Sequence, residues 1–506
     1  MRNFLIFCSF LLLLACGEAV RKKEYVSPDI LFPEIFREVQ NSGLNIEVFL
    51  DATALYKPDE INQNFKKLKG LKGFNFNDFF KQNFRENSSA KIYTQKINSK
   101  EDLKKYTENA LKSLKRYPKD DSSSLIPTRK EYYSGGPSHE EYNYFNSFIL
   151  MKAFLENNQI EEAENFLLNA AQFVQDYGYV PAGNRSYLLG RSNPPVFALL
   201  VSEMAKHKPE VLPQYASLLT KEYQYWMAAQ SKEESNILSG LNGNKVYAYK
   251  NAVLMPDKNL LNRYFVTNKG ISKRNPKVSS PKELQSILTS EESLDFDGMR
   301  WKTDIYSGDK SPQSFLAVDL NSLLFFMEKT LAESYNAKGN PEYAKSFRLL
   351  AEKRKMAINK YFWNEKTGFF TDYNFKSQIQ SNAYTHAGLW PVLLGIADES
   401  QIQKVIDFVE NRLLKEEGVV DFYSEYATGN TFSSENQFIS YLALKNAGKQ
   451  DLADKIRKKW LLVNLNHAKK FGSIQSDYFE KTKKTKPQQS KRIDGALGVL
   501  LYFLNQ

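Results

Sequence analysis

Four histidines, His139, His207, His386 and His467, are scattered through a chain of 506 residues, and no two stand at the spacing of a metal site. Both cysteines, Cys8 and Cys16, fall in the N-terminal segment, so a thiolate cluster is excluded as well. There is no Gly-x-Ser-x-Gly elbow, phosphate-binding loop or dinucleotide fingerprint. What remains lies in long irregular stretches, notably Tyr177 to Asn193 and Pro256 to Phe315, and consists of carboxylates, arginines and aromatic rings. Those are the groups of glycoside hydrolysis, in which two carboxyls flank the bond to be cut and the transition state has oxocarbenium character. Arg185 and Arg191 each offer a planar donor fork that can take two sugar oxygens or hold a carboxylate in a structural ion pair, and both roles stay open. The acidic pair Glu140-Glu141, beside His139, reads equally as sugar ligands or as the start of a surface helix.

Elements strong enough to hold such loops are written in the apolar spacing. Ala163, Leu167, Ala170, Ala171 and Val174 share one side of a helix over about 160–175, and Leu320, Leu323, Leu324, Met327 and Leu331 do so over 318–335. Further helices are expected near 194–207, 211–228, 341–361, 382–396, 399–414, 432–447, 450–468 and 492–504. Pro194-Pro195 and Pro341 stand at helix starts, where a missing N–H costs little, and Gly339-Asn340 and Gly448 stand at stops. Period-2 strands are few. The pattern is one of paired antiparallel helices joined alternately by short turns and long loops, with no clean repeat or linker, so a single large domain over residues 25–506 is expected. Aromatics make up 14% of the chain, with 35 Phe and 29 Tyr, which suits a sugar cleft and equally an aromatic core.

The N-terminus carries an address. One positive charge, an apolar run from Phe4 to Leu14 and the sequence Leu13-Leu14-Ala15-Cys16-Gly17 form a secretory signal too short to span a membrane. The pattern resembles the lipobox of bacterial lipoproteins, which implies cleavage after residue 15, acylation of Cys16, a tether over 16–24 and a lipid-anchored place in the bacterial envelope, periplasmic or extracytoplasmic; the alternative is an ordinary signal peptide. The formal charge of +11 falls to +10 without residues 1–15, which contain only Arg2. Lysines are interleaved with acids and the dense run Lys481 to Lys486 has no aromatic partners, so nucleic acid is not an expected partner.

The loop Tyr179-Val180-Pro181-Ala182-Gly183-Asn184-Arg185-Ser186-Tyr187-Leu188-Leu189-Gly190-Arg191-Ser192-Asn193-Pro194-Pro195 closely resembles the trehalase segment Pro-Asn-Gly-Asn-Arg followed by Ser-Arg-Ser-Gln-Pro-Pro. Leu261-Asn262-Arg263-Tyr264, Val318-Asp319-Leu320-Asn321-Ser322-Leu323 and Tyr361-Phe362-Trp363-Asn364-Glu365 follow in the order of that family. The resemblance implies an all-α (α/α)6 toroid and an inverting hydrolase of α,α-trehalose or a related α-glucoside that needs no cofactor and no metal. Carried over residue by residue, it implies Asp295 as the general acid, with Asp297 in reserve, since Ser293-Leu294-Asp295-Phe296-Asp297-Gly298-Met299-Arg300-Trp301 stands where the family has Ser-Gly-Trp-Asp-Phe-Ser-Ser-Arg-Trp. Glu480, in Tyr478-Phe479-Glu480-Lys481-Thr482, takes the place of the base, and the two carboxyls of such an inverting pair should lie about 6.5–9.5 Å apart. Arg191, Ser192, Asn193, Arg274 and Tyr144 are the implied sugar-binding residues.

The departures are also specific. Pro137 replaces the arginine of the first family signature, Tyr144-Phe145 its Trp-Asp pair, Ala182 an asparagine and Lys277 a glutamate, while Gly429 to Phe438 retains almost nothing of the second, Gln-Trp-Asp-x-Pro-x-Gly-Trp-Ala-Pro. Each lost hydrogen bond to sugar costs about 0.5–1.5 kcal/mol. The chain therefore carries two readings: a trehalase-like glycosidase, or a noncatalytic carbohydrate-binding envelope lipoprotein on the same toroid.

Overall fold

The computed structural model describes residues 25–87, 93–120, 122–137, 139–189, 191, 193–227, 299–302, 312–424, 430–479 and 492–506. Twelve helices among them build the ring: α1 (Lys100–Leu114), α2 (Tyr144–Glu156), α3 (Ile160–Tyr177), α4 (Phe197–Ala205), α5 (Val211–Met227), α6 (Val318–Ala337), α7 (Pro341–Tyr361), α8 (Trp390–Leu393), α9 (Glu399–Phe408), α10 (Ser434–Asn446), α11 (Gln450–Phe471) and α12 (Asp494–Asn505).

Local signals start and stop them. Ser99 and Asp102 make a reciprocal capping box for α1, Asp398 and Gln401 make another for α9, and Asn340 caps α7 ahead of Pro341. Gly178 and Gly472 end α3 and α11 at φ of 89° and 70°, a left-handed turn in which only glycine avoids a Cβ penalty. Two expectations need correction. The helix expected over 382–396 is a two-residue ladder at Tyr384–Thr385, a 3-10 turn at His386–Leu389 and the single turn of α8, because a continuous helix would bury Pro391 in its interior without an N–H to give. The helix expected to reach 414 leaves α geometry at Phe408 and closes through one π turn, Val409–Leu413.

Helices α2, α4, α6, α8, α10 and α12 each pack on the next, and α12 returns to α2, so they close an inner ring. Helices α2 and α12 are apolar nearly all round, as helices buried on every side tend to be, while α6 and α10 also bury polar side chains such as Asp319, Asn321, Asn436 and Gln437. The outer helices lay one apolar stripe against them: α3 on α2 and α4, α5 on α4 and α6, α7 on α6, α11 on α10 and α12, α1 on α12. Phe408 of α9 packs its ring, tilted, against Phe369 at 4.5 Å between ring centroids and against Tyr384 at 4.8 Å. This is an (α/α)6 toroid. Connections from inner to outer helix are short, at 157–159, 206–210, 338–340, 394–398 and 447–449. The chain must therefore return to the opposite end of the ring before every inner helix, which sets all six inner N-termini, with the described residues that lead into them, at one mouth.

A second apolar core stands beside the ring. Phe32, Phe36, Phe49, Phe65, Phe79, Phe80 and Phe84 join helices Pro33–Ser42, Ile46–Asp51, Pro58–Leu68 and Phe76–Asn83 into a phenylalanine-rich unit. It rests on segments at the mouth end: Ser124 Oγ donates to Leu50 O at 2.7 Å, and Tyr187 OH to Asp51 Oδ1 at 2.8 Å.

Candidate functional site

Three groups of buried polar residues line the mouth. The first stands where the chain enters α6. Arg300 is 5% exposed and bonds two carboxylates at once. Its Nη1 and Nη2 donate to Asp319 Oδ2 and Oδ1, both at 2.8 Å, while Nε and Nη2 donate to Asp372 Oδ2 and Oδ1 at 2.6 and 2.7 Å. Trp301 Nε1 adds a bond to Asp372 Oδ2 at 3.0 Å. Burial would push the Asp319 carboxyl up, but Arg300 and the Leu320 N–H hold it below the usual carboxylate range. His386 lies beside this pair, neutral, its pKa pulled down to about 4 chiefly by burial.

The second group joins the ring to the phenylalanine-rich unit. Arg492 Nη2 donates to Glu141 Oε1 at 2.7 Å, and Arg185 Nε reaches Glu141 Oε2 at 3.5 Å and Asp51 Oδ1 at 3.4 Å. Burial alone would raise the Glu141 pKa, yet Arg492, His139 and Arg185 together hold it well below the ordinary value. Asp51 goes the other way, raised to about 6 because burial outweighs its partner Arg185. The two readings left open for Arg185 thus resolve toward an ion pair: it is 1% exposed and surrounded by Glu141, Asp51 and Ser124. Glu141 is likewise committed to its cations.

The third group spans the starts of α10, α12 and α2. Asn146 Nδ2 donates to Asp494 Oδ2 at 3.1 Å, and Glu435, half-buried in the first turn of α10, faces them. The Glu435 carboxyl is pushed up to about 8 by burial and then by Asp477, Asp494 and Asp421, and Asp494 is pushed up to about 6, again by burial. Both acids sit at helix N-termini, whose dipole favours a negative charge by about 0.3–1 kcal/mol; that is less than one pKa unit, so burial wins. Beside them Thr431, Phe432 and Ser433 pair antiparallel with Phe479, Tyr478 and Asp477, and Ser434 N and Oγ both donate to Ser476 O at 3.0 Å. The ladder carries the chain to the edge of the mouth at Phe479.

Of the residues singled out in the sequence, Asp295, Asp297, Glu480, Ser192, Arg274 and Cys16 lie outside the described residues. Arg191 and Asn193 are at the mouth, in the segment that leads into α4. Ala182 N donates to Arg191 O at 2.9 Å and Asn193 Nδ2 to Ala182 O at 3.3 Å, so Arg191 and Asn193 pin their own loop. Tyr144 departs from its expected part as a sugar platform. It is 0% exposed, packed in the core at the start of α2, with its OH donating to Glu222 Oε1 at 3.3 Å. Asn146, Glu435 and Asp494 were not anticipated. Glu435 stood in a segment read only as an eroded signature; the available signal was an acid in the first turn of an otherwise apolar helix, at the end of a long loop.

Glu222 supplies a test of this electrostatic picture. It is 1% exposed and its pKa is raised to about 8, chiefly by burial, with the Tyr144 bond only partly opposing. Below its ordinary value both folded and unfolded chains hold the proton; between there and about 8 only the folded chain does, so stability falls as pH rises, by at most about 1.4 kcal/mol per unit. Glu222→Gln is expected to remove that slope, so urea midpoints of variant and parent should diverge in the variant's favour from pH 5 to pH 8. A constant difference across that range would contradict it.

Comparison with known proteins gives the same architecture a history. The trehalase family matches residues 43–496. The periplasmic trehalase of Escherichia coli (strain K12 / DH10B) is 29% identical over 464 residues, covering 87% of this chain and 79% of the relative. Among solved structures, the neutral trehalase of Saccharomyces cerevisiae superposes with a TM-score of 0.54 at 17% identity, over 74% of this chain and 73% of that one. A mannosylglycerate hydrolase of Thermus thermophilus does so at 0.52 and 14% identity, over 79% and 99%. At those identities the two structures speak to the toroid alone.

Proposed function

Because this chain belongs to the trehalase family, we propose that it hydrolyses α,α-trehalose or a related α-glucoside with inversion, Asp295 acting as general acid and Glu480 as general base. It is a glycosidase; the substrate and the residue roles are the proposal. In this scheme the Asp295 carboxyl protonates the glycosidic oxygen while Glu480 takes a proton from the water that attacks the opposite face of the anomeric carbon.

The observation that carries the reading is the anchoring of the chain next to each acid. Arg300, five residues after Asp295, is clamped by two buried carboxylates at the entry to α6. Phe479, the residue before Glu480, closes a ladder at the entry to α10. Both anchors belong to one mouth, and a general acid or base works only when its position is fixed to a fraction of an ångström. Arg191, Ser192, Asn193 and Arg274 are proposed to bind the sugar. Tyr144 is left out because it is closed off.

We also propose an extracytoplasmic location with Cys16 acylated, from the signal segment and from relatives named as periplasmic. No helix among the described residues is long and apolar enough to cross a membrane. The functional test is direct: the purified mature chain, incubated with trehalose, maltose and a panel of α-glucosides, is expected to release glucose from trehalose. Binding by calorimetry without turnover on any sugar would overturn the hydrolytic reading in favour of the carbohydrate-binding one.

A further inference from the structure

Glu435 meets two other inner helices over a single glycine. A Cβ built on Gly495 would stand 2.5 Å from Glu435 Oε1 and 2.8 Å from Asn146 Nδ2, so the absence of a side chain at 495 is what lets α10 and α2 bring these groups together above α12. The acids nearby have their partners. Asp421 Oδ1 accepts from Ser433 N at 2.8 Å and Ser433 Oγ at 2.7 Å, Asp477 accepts from Ser476 Oγ at 2.6 Å, and Arg492 is drawn to Glu141. Asp494 differs. It is 1% exposed, Asn146 takes only its Oδ2, and its buried Oδ1 has no hydrogen-bond partner. An oxygen left so is expensive in a closed core and ordinary in a site that receives a donor from outside. Glu435, partly open to the mouth, stands at the same point.

We propose that Glu435, standing beside Asn146 and Asp494, contacts the substrate directly and sets sugar specificity by hydrogen-bonding two adjacent hydroxyls of one pyranose ring. The inference rests on the glycosidase reading above and deepens it by naming a residue for one sugar subsite. The chemistry fits a neutral sugar. A carboxylic acid that keeps its proton at pH 7 donates to one hydroxyl oxygen and accepts from its neighbour, whereas ionised Glu435 can only accept. The groups that govern its proton are Asp477, Asp494 and Asp421, with Arg492 drawing on Asp494.

The experiment compares the full mature chain with its Glu435→Ala and Glu435→Gln variants, measuring KM and kcat on trehalose from pH 5 to pH 9. The alanine variant is expected to raise KM at least tenfold while its kcat falls less. The glutamine variant, whose amide also donates and accepts, should return KM to within threefold of the parent at pH 6. It should also lose the decline in kcat/KM that the parent shows as pH rises through about 8. An alanine variant within twofold of the parent in KM, with the same pH profile, would overturn the inference. So would glucosamine competing at least a hundredfold better than glucose in the parent, which would mark an ammonium site. If the parent turns over no glycoside, the hydrolase reading falls by itself. Calorimetric binding of trehalose then decides on Glu435: weakened at least tenfold by alanine, the contact stands; unchanged, it is lost.

Discussion

Arg300→Leu is expected to destabilise the protein by more than about 3 kcal/mol and to abolish turnover even in the molecules that stay folded. The first effect follows from what is left behind. Asp319 and Asp372 are 4% and 5% exposed, each held by a bidentate contact to this one guanidinium, and removing a partner from a buried ion pair typically costs about 3–5 kcal/mol. Lysine cannot substitute, since an ammonium has no planar fork with which to meet two carboxylates at once. Neutralising the orphaned acids should recover part of the loss, so Arg300→Leu combined with Asp319→Asn and Asp372→Asn is expected to be more stable than Arg300→Leu alone. Urea unfolding of the three proteins decides it; a cost below about 1 kcal/mol for the single variant would show that the cluster is not the anchor described. The second effect separates the anchor from general stability, because Arg300 and Trp301 lose their hold on Asp319 and Asp372 while the ring, held by its continuous apolar core, persists.

Asp295→Asn and Glu480→Gln are each expected to lower kcat on trehalose by about 10²–10⁴-fold with little change in thermal unfolding. Both substitutions preserve shape and remove only the titrating group, so proton transfer is the step they interrupt. Asp297→Asn should stay within tenfold of the parent; if it instead carries the large loss and Asp295→Asn does not, the acid is Asp297. Turnover within tenfold of the parent in both Asp295→Asn and Glu480→Gln would contradict the assignment while leaving the glycosidase intact.

Much of the architecture is legible from apolar spacing, and the outer ring more so than the inner. Helix α7 is found where it is expected, at Pro341–Tyr361, because Asn340 and Pro341 announce its start and one apolar face runs its length. Helix α2 is harder to delimit: Phe145, Phe148, Ile149, Leu150 and Met151 are all buried, so no polar face marks a period. The break at Trp390-Pro391 is missed by the apolar spacing, although the proline there is the signal that could have marked it. The phenylalanine-rich unit is not legible in the sequence, because its separation from the ring core is a matter of packing and not of composition.

The site divides along a similar line. The long polar segments between helices are evident from their length and composition, and the family resemblance supplies their order. What the sequence could not convey is the pairing of residues far apart, such as Arg300 with an acid 72 positions on or Asn146 with one 348 positions on. These contacts exist only because the ring closes, and they separate the acids held ionised by arginine, Asp319 and Glu141, from those pushed toward the protonated form, Glu435 and Asp494. Tyr144 shows the converse error: an aromatic residue within a signature-like segment was assigned to the cleft when its ring completes the core.

The central claim is inverting hydrolysis at this mouth, and proton NMR of the first sugar released from α,α-trehalose reads it most directly. Attack by water on the face opposite the leaving group turns one glucose into the β anomer, while the other departs with its α configuration intact. Spectra taken before mutarotation are predicted to show α- and β-glucose in equal amounts. Release of α-glucose alone, or no release from trehalose by a folded and sugar-binding protein, would contradict the account.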